Sequence, residues 1–193
     1  MGIFAALETF INTLLTALGS WGAILGCIFI LFESIIPPLP LSVFITLNFL
    51  TFGNLVGFII SWVFTCIGCM MSYYLFKTSI KEKYLNKLKE RELLGKIINV
   101  IENMDFKNLV LLIAIPFTPA FLINIAAGIC RIDAKKYFYA LLIGKISLVY
   151  FWGYIGVSLI DSLKNPMILI KVGVALIIMY ILSMLVSKKL KIR

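Results

Sequence analysis

Apolar residues run along this chain in blocks too long for the strands and helices of a soluble core, and prolines cut two of the blocks. In Ile3 to Leu18, Phe4, Leu7, Phe10, Ile11, Leu14, Leu15 and Leu18 recur at helical spacing against Glu8, Thr9, Asn12 and Thr16, the pattern of an amphipathic helix lying in a membrane interface. Gly19 to Ile36 reads as a first crossing that stops at Pro37-Pro38, with Pro40 two residues beyond. From Pro40 only about 13 residues remain to Gly53, ~20 Å as helix and too short for a hydrocarbon core of about 30 Å. Proline cannot donate its backbone bond and restrains the residue before it. Residues 37–53 are therefore expected to be re-entrant.

Asn54 to Phe76 is a second crossing. Lys77 to Lys107 is the most polar stretch, yet Ile80, Tyr84, Leu85, Leu88, Leu94, Ile97, Ile98 and Ile101 keep helical spacing, which predicts helices on the membrane surface with lysines toward lipid phosphates. Leu109 to Ile129 is apolar but cut by Pro116 and Pro119, leaving about 11 residues after the second proline, again too few to cross. Tyr137 to Ile160 and Met167 to Val186 are two further crossings, parted by Asn165-Pro166. The expected fold is an all-α polytopic membrane protein: an inverted repeat with two re-entrant helical hairpins, about four full transmembrane helices and surface amphipathic helices.

Charge tests that topology. No Lys or Arg precedes Lys77, and the basic residues then gather in 77–107, in the Arg131/Lys135/Lys136 link and in the tail. Four crossings and two re-entrant hairpins put all three groups on one face, as the positive-inside rule requires, with both termini cytoplasmic. The hairpins then enter from opposite faces, as broken helices do in many secondary transporters. One integral membrane domain over 1–193 is expected, divided into 1–18 (interfacial helix), 20–76 (first half-repeat), 77–107 (cytoplasmic amphipathic region), 108–160 (second half-repeat) and 166–187 (last transmembrane helix). The start of the chain lacks a basic region before its first apolar run and is read as retained.

Candidate chemistry is sparse. With no His, no nucleotide-binding loop and no paired carboxylates, no enzymatic activity and no cofactor or metal are expected. Cys66-x-x-Cys69 lies inside a crossing without a second pair and reads as packing. Glu33 is an ionisable carboxylate in an apolar run, costly there unless paired or wetted, and marks a pathway or a helix cap. Lys145 lies ~12 Å into the crossing that begins near Tyr137, and either pairs with Glu33 or bonds re-entrant carbonyls. Asn48 and Asn124 follow the two Pro-x-x-Pro segments and either coordinate a head group or close their own turns. Arg131, Lys135 and Lys136 set topology and offer contacts to anionic lipids. The basic patches of a membrane protein imply lipid phosphate as partner and no nucleic acid; a homo-oligomer is left open.

The ordered set Phe32-Glu33-Ser34-Ile35-Ile36-Pro37-Pro38-Leu39-Pro40, Asn48, Gly53 and Gly57-Phe58, followed by Pro116-Phe117-Thr118-Pro119, Asn124 to Gly128, Arg131 and Phe138, resembles the DedA-like, VTT-domain (SNARE-associated Golgi protein) membrane family across about Trp21 to Leu159. It is most similar to the branch with Pro-x-x-Pro in both halves. The resemblance implies a protein that moves or equilibrates lipids, phospholipid or a polyprenyl-phosphate carrier; on that reading the polar and proline positions singled out above, Glu33, Pro37, Pro40, Asn48, Pro116, Pro119, Asn124 and Lys145, are expected along the pathway. It also implies a bacterial plasma membrane setting. The chain departs from the family's proton-dependent members, with Ser42, Ile113 and Pro119 where a second acid and two arginines are expected. The resemblance therefore does not carry proton coupling of that form. Two other readings stay open: an ion- or proton-coupled transporter of a small solute, and a non-transporting membrane scaffold.

Overall fold

The computed structural model describes residues 24, 26–35, 41–79, 98–102, 104–162, 165 and 167–190. The interfacial helix expected at 1–18, Pro37, Pro40 and most of 77–97 lie outside them. The described residues are mostly helical, with no strand among them. Helix α1 covers 26–33, α2 Leu41–Ser79, α3 Phe106–Ala114, α4 Ala120–Ile129, α5 Ala134–Asp161 and α6 Met167–Lys189. Three of these, α2, α5 and α6, are long and apolar enough to cross a membrane. The boundaries differ from the expected crossings by a few residues. The α5 start is moved back to Ala134 because Asp133 accepts the Lys136 N–H at 2.8 Å as an N-cap, and Asp105 starts α3 the same way through Asn108 N–H at 2.9 Å.

Helix α2 is two helices. Gly53 sits at φ 77°, ψ 172°, a region open to glycine and almost nothing else. Asn48 Nδ2 donates to Ser61 Oγ at 3.0 Å across that break. Thirteen residues along an unbroken helix would hold those atoms ~20 Å apart, so the chain doubles back at Gly53 and 41–52 packs on the start of 54–79.

The second half is built alike. Helices α3 and α4, ~14 and ~15 Å long, are both too short to cross and are separated by the Ile115–Pro119 turn. Helix α4 closes on a Schellman turn: Ile132 N–H bonds Ala127 O at 3.2 Å and Arg131 N–H bonds Gly128 O at 3.1 Å, with Arg131 at φ 50°. The chain then folds back into α5, and Tyr137 Oη donates to Asn124 Oδ1 at 2.6 Å, again 13 residues apart.

The two halves share one register. Pro40 and Pro116, Asn48 and Asn124, Ser61 and Tyr137, and Gly68 and Gly144 are each 76 residues apart. The glycine pair plays the same part twice: a Cβ at Gly68 would strike Leu31 and Ser34 beside α1, and a Cβ at Gly144 would strike Val110 and Ile113 of α3. Asn54 of α2 and Asp161 of α5 line one recess at one end of the molecule, while Tyr73 Oη donates to Ile132 O at the other. The long helices thus run antiparallel, with the Gly53 bend at one end and the Arg131 bend at the opposite end, which is the geometry of an inverted repeat.

Two apolar cores follow. One joins 54–79, α3, α4 and the start of α5 around Tyr73, Leu109, Leu112, Ala126 and Tyr137; the other joins Ile30, Ile45, Phe49, Leu148 and Val149. Ile98 and Ile101 are buried in the first, so the apolar face at the described end of 77–107 packs on protein. Helix α6 exposes most of its apolar side chains, the surface a lipid-facing helix presents.

Candidate functional site

The end of α1 and the start of α2 meet the second proline turn. A cleft of about 360 Å³ is lined by Glu33, by Leu41 and Ser42 at the start of α2, by Pro116 to Phe121, and by Leu148 and Trp152 of α5. The start of α2 lies beside the second proline turn because Ile45 and Phe49 pack on Leu148 and Val149, while α3 seats against Gly144 on the same helix. Phe117 meets Phe151, Trp152 and Tyr180 edge to face, with centroids 5.9 to 6.3 Å apart, so aromatic rings form the rim. Larger recesses exist, above all an apolar groove of about 750 Å³ along Trp62 to Thr78. That groove is walled almost wholly by apolar side chains, whereas the proline cleft holds a carboxylate.

Glu33 is 8% exposed and Lys145 1%. Neither Glu33 Oε2 nor Lys145 Nζ has a hydrogen-bond partner. The two are close enough for their charges to attract, but they do not form the bonded pair that the sequence suggests, nor does Lys145 bond re-entrant carbonyls. Lys145 faces a gap lined by Ile113, Thr118, Ala120, Ile123, Asn124 and Leu141 that has no room for a water molecule. Thr118 of the second proline turn and Ala120 at the start of α4 line both this gap and the cleft that holds Glu33.

Asn48 and Asn124 sit in the middle of short helices rather than at the bends, at 0% and 1% exposure. Asn124 is satisfied on both sides, donating to Ser34 O at 3.3 Å and accepting from Tyr137; Asn48 donates to Ser61, and its Oδ1 is unpartnered. They close the hairpins through side chains instead of turns and do not open into the cleft. Pro116 is buried and Pro119 half-buried in the cleft wall; Pro37 and Pro40 lie outside the described residues. Arg131 and Lys135 are exposed at the Schellman turn and just after it, while Lys136 Nζ donates to Met104 O at 2.6 Å and ties α5 to the chain before α3.

The structure also brings in residues that sequence reasoning passed over. Thr118 and Trp152 line the cleft, and Tyr73 and Tyr137 stack at 5.0 Å beneath the Arg131 turn, with Lys77 Nζ donating to Tyr73 Oη at 2.9 Å. A 76-residue register search would have found Tyr137 as the counterpart of Ser61; nothing local marks Trp152. Cys66 and Cys69 are free and buried, with Cys69 Sγ 3.7 Å from Ser34 Oγ, which fits packing. No cluster of three metal-ligating side chains occurs among the described residues.

A helical bundle with two opposed broken hairpins and a charged cleft at their junction defines a class of polytopic membrane protein. The VTT domain family model matches residues 39–158, more than half of the chain, and the chain belongs to that DedA-like family. It is 25% identical over 174 residues to YhjE of Bacillus subtilis (strain 168), an uncharacterized membrane protein, with 90% of this chain and 84% of that one covered. No solved structure matches it.

Proposed function

We propose that the protein moves a lipid between the leaflets of a bacterial plasma membrane, with the head group passing the proline cleft while the tails stay in the bilayer. The observation that carries this reading is the cleft itself: an unpartnered carboxylate at the meeting point of the two broken hairpins, rimmed by aromatic rings, in a helical membrane protein. A buried charge costs about 2.5–3.5 kcal/mol at the centre of a membrane helix on insertion scales, so its retention calls for use. Phosphate-bearing lipids are the favoured partners, with exposed Arg131 and Lys135 at the face where head groups gather. The test is reconstitution: vesicles containing the purified protein should equilibrate a fluorescent phospholipid across the bilayer, read by quenching of the outer leaflet, and Glu33→Gln should slow it strongly. Protein-containing vesicles that equilibrate the lipid no faster than empty ones would reject it. The same carboxylate supports a second reading, a proton-coupled transporter of a small solute, which predicts solute uptake that collapses when the pH gradient is removed.

A further inference from the structure

The cleft holds one carboxylate, and a gap that shares Thr118 and Ala120 with it holds one ammonium; the two are not bonded to each other. Glu33 Oε2 and Lys145 Nζ are both buried and without partners, which is unusual because ionised groups at such depth pair with each other, with backbone carbonyls or with water. Lys145 is dry, since its gap admits no water. On the side of the cleft its lining is Thr118, of the Ile115–Pro119 turn, and Ala120, the first residue of α4. That turn is lightly held: both prolines lack an N–H, and its internal backbone bond, Thr118 N–H to Ile115 O, is 3.4 Å long.

We infer that Glu33 and Lys145 are the two poles of a single binding site for a zwitterionic phospholipid head group, completed when the Pro116–Pro119 turn moves aside and joins the Lys145 gap to the cleft. This inference rests on reading the cleft as a lipid pathway and names the lipid's head-group class. An ammonium on the head group replaces Lys145 as the partner of Glu33, and the phosphate replaces Glu33 as the partner of Lys145. Both charges that this conformation leaves unmatched are then matched at once. A head group of one sign meets a like charge at one pole, and that is where discrimination arises. Thr118 and Ala120 line both spaces, so a displacement at these two residues is what would join them. Trp152, in the cleft and in edge contact with Phe117 of the same turn, reports both occupancy and turn movement.

The experiment is equilibrium binding in detergent, followed by tryptophan fluorescence, with short-chain phosphatidylethanolamine as the probe and Trp152→Phe as the control that locates the signal. Saturable binding is expected, weakened roughly tenfold or more by Glu33→Gln and by Lys145→Met, each of which removes one charge-assisted contact. Lys145→Arg should retain binding. Short-chain phosphatidylglycerol, with a phosphate and no ammonium, should bind weakly to the parent and more tightly to Glu33→Gln, a reversal that a folding defect cannot produce. Free O-phosphoethanolamine at millimolar concentration should displace the lipid, because the charges carry recognition. Methionine matches the length of the lysine stem and removes an unpartnered buried charge, so Lys145→Met should unfold at the same temperature as the parent or higher. Phosphatidylethanolamine affinity unchanged in Lys145→Met, no displacement by the free head group, or equal binding of the two lipids would overturn the proposal. Binding as described by a protein that moves no lipid in vesicles would overturn the transport reading alone.

Discussion

Single side chains in this fold divide into those that fasten helices and those left unmatched, and the division predicts which substitutions the structure tolerates. Asn124 has both ends engaged, so Asn124→Leu leaves the Tyr137 hydroxyl and the Ser34 carbonyl without their partners in an apolar core. It should cost about 1–3 kcal/mol, seen as a lower unfolding temperature in detergent. Asn48→Leu removes an amide whose Oδ1 is already unpartnered and deprives only Ser61, so its loss should be clearly smaller. Equal destabilisation by the two would mean that the hydrogen bonds do not set the difference. Arg131 is the converse case. Its φ of 50° suits glycine better than arginine, so Arg131→Gly suits the backbone while removing the charge. A weakened association with anionic vesicles can then be read as lost electrostatics, checked by co-sedimentation. At this scale the sequence disclosed the residues but not their partners: Glu33, Lys145 and the asparagines stand out as polar letters in apolar runs. Whether each meets water, a carbonyl or another charge depends on segments that only the folded chain brings beside it, from 13 residues away for Asn48 and Ser61 to 90 for Asn124 and Ser34.

Helices and their breaks were the most legible level, because the chemistry that ends a helix is local. Prolines at 116 and 119, Gly53 and the capping aspartates act within a few residues of themselves, and helix lengths convert directly to membrane depth. Less legible was how the elements interlock. Ile98 and Ile101 show why: an apolar stripe records that one face is covered, not what covers it, and here protein does. Gly53 offers the sharpest test of an element. Nothing lies within 4 Å of where its Cβ would sit, so Gly53→Ala carries no clash, and any effect is the backbone cost of holding alanine at φ 77°, ψ 172°. That cost is of order 1–3 kcal/mol, and it should appear as a drop in unfolding temperature. If Gly53→Ala unfolds with the parent, the hairpin is held by its packing in some other backbone conformation.

For the whole molecule the 76-residue register and the antiparallel long helices make a stronger statement than either half alone. The halves are opposed, so the Gly53 and Arg131 bends lie at opposite ends, near Asp161 and near Tyr73 respectively. In the sequence the similarity between halves is faint because lipid-facing positions are free to vary among apolar residues. It is the few close contacts at Gly68 and Gly144 and the asparagine bridges that must repeat. Sidedness follows from charge: Arg131, Lys135 and Lys136 cluster at one bend, while no Lys or Arg lies within twenty residues of Gly53 on either side. By the positive-inside rule the Arg131 bend is expected at the cytoplasmic face and the Gly53 bend at the outer one. Asn54 and Arg131 are both exposed, which makes them suitable positions for single cysteines in a background where the native four are replaced. A membrane-impermeant maleimide applied to intact cells should label Asn54→Cys, and should label Arg131→Cys only after the cells are opened. Labelling of both from one side would contradict the opposed halves, and with them a pathway in which each hairpin reaches the shared cleft from its own face of the membrane.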